Sequence, residues 1–184
     1  MFRNLVSRRN LILISLGLLV VAAISFVLAP KRARAHEGTP IKGNFTVAFS
    51  GMPNTTGASY CEGPALGVVV EAHGGGHASL GDLSLSIQKT IAGPSMHGCV
   101  TFTALNGDTL TAIYDLTAGT PNANLFRDAT GTLTFTGGTG RFEGATGNAN
   151  VTAVFSRIGG TAAPMQGIAF YSVDGTLSVQ SDDQ

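Results

Sequence analysis

The chain has 184 residues and no formal net charge, but its 11 basic and 11 acidic residues are unevenly spread. Arg3, Arg8, Arg9, Lys31, Arg32 and Arg34 precede His36 and no acid does, so the rest of the chain, with five bases and 11 acids, carries about −6. Such a body lacks the clustered Lys and Arg that neutralise phosphates, which argues against nucleic acid as a partner. Only 12% of residues are charged and 25 are Gly, a balance that excludes a coiled coil, a helical bundle and a disordered acidic tail.

The chain opens on residues that direct it out of the cytoplasm. Leu11 to Ala29 is free of charge and bounded by Arg8 and Arg9 on one side and Lys31, Arg32 and Arg34 on the other. As one apolar helix this run spans about 28 Å, close to the hydrocarbon thickness of a bilayer. Ala33-Arg34-Ala35 is a small-x-small site at which a signal peptidase would cut before His36, and Ser7-Arg8-Arg9 resembles a twin-arginine export signal. Residues 1–35 therefore read either as a signal peptide or as a single transmembrane anchor through 11–29. Both place the body on the periplasmic or extracellular side. Residues 36–42 read as a tether, 43–180 as the folded domain and 181–184 as a polar tail.

From Gly43 the period is two. Phe45, Val47 and Phe49 alternate with Thr46, Ala48 and Ser50; Leu83, Leu85 and Ile87 alternate with Ser84, Ser86 and Gln88. Similar faces follow at Val100-Phe102-Ala104, Leu110-Ala112-Tyr114-Leu116, Leu133-Phe135, Val151-Ala153-Phe155 and Leu177-Val179. Alternation rich in Val, Thr and Phe predicts strands, here at 43–50, 65–72, 78–91, 97–105, 109–117, 129–136, 141–156 and 167–180. Asn106-Gly107, Gly137-Gly138-Thr139-Gly140 and Gly159-Gly160 punctuate them as turns. Eight strands in short-range succession predict an all-β fold, an eight-stranded antiparallel up-and-down barrel, whose closure removes exposed strand edges. Its lumen is either packed or holds one small ligand.

The segment Gly137-Gly138-Thr139-Gly140-Arg141-Phe142-Glu143-Gly144-Ala145-Thr146-Gly147 resembles the glycine-rich hairpin of the allene oxide cyclase family. It is also similar to the corresponding segment of plant dirigent proteins. The stretch from Thr101 to Leu110 resembles bacterial exported members of the same barrel superfamily. The resemblance runs over roughly residues 43–180. It implies an eight-stranded barrel, often a homotrimer, and an isomerase or cyclase activity as one functional class. In such a hairpin the glycines serve the turn, and Phe142 plugs the barrel beside it. No helix follows to direct its N-terminus at an anion, which argues against phosphate binding.

Other residues carry weaker chemistry. Glu71 beside Val68, Val69 and Val70 is a candidate lumen acid, though a strand end before Gly74 also suits a carboxylate facing water; Tyr114 is the second candidate for catalysis. His73, His77 and His97 have metal-ligand chemistry, but Gly74-Gly75-Gly76 between the first two reads as a polar hairpin rather than a helix that would align them. No cofactor is expected. Cys61 and Cys99, the only cysteines, pair as a disulfide or stay as two buried thiols; an exported chain favours the bridge. The reading that emerges is a non-catalytic barrel for binding or assembly, with other membrane proteins or further copies of itself as partners. The alternative is an isomerase or cyclase acting on a small apolar substrate in the lumen.

Overall fold

The computed structural model describes residues 38–57, 59, 61–158 and 164–179. The apolar leader, its export signals and the polar tail lie outside them. Among the described residues the chain forms eight strands: β1 (Thr39–Pro53), β2 (Val68–Ala78), β3 (Gly81–Ala92), β4 (Ser95–Ala104), β5 (Thr109–Ala118), β6 (Phe126–Gly138), β7 (Thr146–Ile158) and β8 (Met165–Ser178). Each pairs antiparallel with the next, and β8 pairs with β1 to close the barrel. The expected fold class is the observed one.

The period of two decides which way each side chain points. Ile41, Phe45, Val47 and Phe49 of β1 face inward, as do Leu83, Leu85 and Ile87 of β3 and Leu110, Ala112, Tyr114 and Leu116 of β5. Phe45 and Phe102 meet across the lumen with ring centroids 5.5 Å apart. Burial of each Val, Leu, Ile or Phe among them contributes about 1.5–3 kcal/mol. The middle of the lumen is consequently filled, with about 20 Å³ left among residues that include Phe45, Phe102, Leu133 and Tyr114.

The boundaries depart most from the sequence expectation at three places. β1 begins at Thr39, so Thr39–Lys42, expected as tether, pair with Leu177–Asp174 of β8. β2 runs through His73-Gly74-Gly75-Gly76-His77, which is strand and not hairpin; the turn falls at Ser79 and Leu80. Gly74 is required there because a Cβ would run into the Thr46 carbonyl of β1. Arg141 to Ala145, expected in a strand, form a short 3-10 turn (Gly140–Phe142) and its exit, and β7 starts at Thr146.

The connections sort the barrel into two ends. One end has the short links 79–80, 105–108 and 139–145; the other has 54–67, 93–94, 119–125 and 159–164. At the short-link end, Gly140 adopts φ +56°, a left-handed conformation that costs a β-branched residue dearly. The Arg141 N–H donates to Asp108 at 3.2 Å, the Arg141 guanidinium donates to the Leu80 carbonyl at 3.0 Å, and Thr139 N–H donates to the Thr109 carbonyl at 2.7 Å. Phe142 is buried beneath this turn, as the glycine motif implies.

Candidate functional site at the open end

At the end with the longer links the inward alternation of β3 continues one step beyond Ile87, and the next inward residue is Lys89. It is 1% exposed. Its cross-strand partner on β4, Gly98, adds no side chain beside it. The ammonium donates to the Tyr171 hydroxyl at 3.3 Å and lies 4.5 Å from the Phe155 ring centroid and 5.8 Å from that of Phe49. These rings form a box: Phe155 meets Tyr171 edge-on at 5.7 Å and Phe49 at 6.3 Å. Ring faces attract a cation, but removal from water is the larger effect, and burial lowers the Lys89 amine to about 7. Burial also pushes the Tyr171 hydroxyl well above its ordinary range, so it stays protonated.

Lys89 lines a cavity of about 510 Å³ that opens between the longer links. Its apolar wall includes Phe49, Phe155, Ile91 and Met165. Its polar wall is cationic, because Arg127 of β6 and Arg157 of β7 occupy the same inward register as Ala129 and Phe155 and also line it. Thus three of the five basic residues that follow His36 meet in one cavity. Among the described residues none of the three forms an ion pair, and the Arg157 Nε is buried without a hydrogen-bond partner. At the rim, Asn122 shapes the 119–125 link by accepting from the N–H groups of Asn124 and Phe126, each at 3.0 Å. That leaves Leu125 65% exposed over the opening with φ +62°.

The outer wall of this end is fastened by a disulfide. Cys61 of the 54–67 link is bonded to Cys99 of β4, with Cα atoms 5.7 Å apart. The bridge that the sequence favoured is formed. His97, also on β4, binds the same link: one ring nitrogen is 2.7 Å from the Cys61 carbonyl and the other 2.6 Å from Asp115 of β5. The hydrogen bond to Asp115 raises the imidazole above its ordinary value.

The residues singled out in the sequence do not come together as a site. Glu71 is exposed on the outer face of β2, with Val70 and Ala72 as its inward neighbours. Tyr114 lies in the filled middle of the lumen, its hydroxyl without a partner among the described residues and its ionisation disfavoured by burial. An acid–base pair from these two is therefore excluded by their placement on opposite faces of the sheet. His73 and His77 lie on one outer face about 13 Å apart along the strand; His77 pairs with Asp82 at 2.8 Å, and His97 is committed to Asp115 and Cys61. No cluster with metal-ligand geometry occurs among the described residues. Lys89, Arg127 and Arg157 were missed, although extending each alternating run by two residues (Lys89, Arg157) or six (Arg127) places all three on the inner face.

Fold and site together define a closed antiparallel barrel, packed at its centre, with a cationic and aromatic-walled mouth at one end. No protein-family model and no curated protein matches the chain. Among solved structures it is similar to a pterocarpan synthase dirigent protein, with a TM-score of 0.46 at 16% sequence identity over 82% of this chain and 91% of that one.

Proposed function

We propose that the body is a non-catalytic binding barrel that holds a small amphipathic anion at its open end. The observation that carries this reading is the cavity of about 510 Å³ in which Lys89, Arg127 and Arg157 meet an apolar wall without forming an ion pair among the described residues. Uncompensated cations are costly away from water, and an anionic group relieves that cost while an apolar tail covers the rings. The filled middle of the lumen supports a site at the mouth rather than at the centre. The Cys61–Cys99 bridge fits an oxidising compartment outside the cytoplasm. In this reading residues 1–35 carry the body there.

Equilibrium dialysis of the full chain against octanoate and octanol tests the proposal. Octanoate is expected to bind saturably, one per chain, and at least tenfold more tightly than octanol. Arg127→Gln combined with Arg157→Gln brings octanoate down to the level of octanol. Equal binding of the two probes by the unaltered chain, or no saturable binding of either, overturns it.

A further inference from the structure

Lys89 is the one cation of the mouth that is also a nucleophile. Its side chain is enclosed by Phe49, Phe155 and Tyr171, its one hydrogen-bond partner among the described residues is a hydroxyl, and it borders the cavity through which a small molecule would reach it. A lysine kept only for its charge is ordinarily placed near water or beside a carboxylate. Here the surroundings disfavour the ammonium instead, as in amines that attack carbonyl groups. We infer that Lys89 captures small apolar aldehydes that enter the open end, holding them as an imine on its Nζ. This inference rests on the mouth being a ligand site, as proposed above.

The chemistry closes without an outside oxidant or reductant. The neutral amine adds to the carbonyl carbon, forming the C–N bond, and the carbonyl oxygen takes up a proton. Tyr171, 3.3 Å from Nζ, is placed to pass that proton, accepting from the nitrogen and donating to the oxygen. The hydroxyl then leaves as water, taking one proton from solvent at the mouth; the C–O bond breaks and the nitrogen lone pair forms the C=N bond of the protonated imine. The protonated imine would lie over the Phe155 face, where the ammonium now lies at 4.5 Å, and a ring face favours a cation there. The lowering of Lys89 to about 7 by burial leaves a large fraction of neutral amine at neutral pH. The charged or titratable groups that line the same cavity or touch the amine are Tyr171, Arg127 and Arg157, and no acid is among them.

The chain carries its own control. It has three lysines, Lys31, Lys42 and Lys89, and Lys42 is exposed in an ion pair with Asp174 at 3.0 Å. The full chain is incubated with octanal and cyanoborohydride, which reduces an imine to a stable secondary amine, and the modified peptides are quantified by mass spectrometry. Lys89 is expected to be labelled at least tenfold faster than Lys42 at pH 7, with the two rates converging towards pH 10. Tyr171→Phe is expected to slow the labelling of Lys89 relative to Lys42. Labelling of Lys89 no faster than that of Lys42 in the unaltered chain overturns the inference. Octanoate dialysis on the same preparation tells the two failures apart. Octanoate binding without preferred labelling removes the imine alone, and absence of both removes the binding site as well.

Discussion

The two ends of the barrel treat charge in opposite ways. At the short-link end Lys42 pairs with Asp174 at 3.0 Å, and Arg141 lies 3.9 Å from Asp108 while donating to the Leu80 carbonyl. At the open end Lys89, Arg127 and Arg157 face inward with no ion pair among the described residues. One end ties its bases to a neighbouring strand and to a turn, and the other leaves them without an ion pair among the described residues around the cavity. Buried unpaired cations oppose folding, so the open end is where stability is given up for a site.

The largest test of that contrast is the pH dependence of stability. Lys89 titrates near 10.5 when unfolded and at about 7 in the barrel. Between these values the unfolded chain holds a proton that the folded chain lacks, so stability rises with pH across the window. Above pH 10 the buried Tyr114 and Tyr171 reverse the trend, because their folded values are raised and the unfolded chain ionises first. From pH 7 to 9.5 the Lys89 contribution amounts to about 3 kcal/mol. Lys89→Met keeps the volume and removes the charge, and is expected to flatten this rise in denaturant unfolding. The same slope in both proteins would mean that Lys89 is solvated, and the comparison between the ends would fail.

A smaller effect is expected at the other end. Gly140→Val forces a β-branched residue into φ +56° and sets a Cβ against the Asp108 carboxylate, which accepts from the Arg141 N–H. Strain and the disturbed hydrogen bond together cost about 2 kcal/mol. Octanoate binding at temperatures below the unfolding midpoint is expected to be unchanged, since the two ends are separated by the filled lumen. A thermal midpoint within a degree or two of the parent would show that the glycine is not required.

What the sequence disclosed follows from what is local. The alternation of Phe45, Val47 and Phe49 and the turn glycines act within a few residues, so the barrel and the Gly140 turn were legible. Glu71 allowed two readings because Val68, Val69 and Val70 precede it without a break in hydropathy, and the sheet register decides for the carboxylate that faces water. His73 to His77 misled because three glycines usually end a strand, whereas here Gly74 and Gly76 let β1 approach β2 closely. The site itself depends on closure. Lys89, Arg127 and Arg157 come from β3, β6 and β7, and nothing in their spacing along the chain indicates that these strand ends share one mouth. A charge tally counts them only as part of a net negative body.

The smallest effect concerns the clasp on the outer wall of the open end. His97 bridges Asp115 and the Cys61 carbonyl, and as an imidazolium it donates to both. Its folded value is raised above 6.5, chiefly by the hydrogen bond to Asp115. The stability it contributes is therefore complete below pH 6.5 and is lost as pH rises through the folded value. Asp115 is 67% exposed, so solvent screening holds the effect to about 1 kcal/mol or less. The short-link end has no such dependence built into the Thr109–Thr139 hydrogen bonds, whose groups do not titrate in this range. Hydrogen exchange should show the difference locally: the Asn54 N–H, which donates to the Gly67 carbonyl across the base of the clasped link, loses protection between pH 6 and 8 beyond the intrinsic change, while the Thr139 N–H does not. His97→Gln, which cannot gain a proton, removes this excess at Asn54. An NMR titration placing His97 below 6.5, or equal behaviour of Asn54 in the two proteins, would show that the link is held by the disulfide alone.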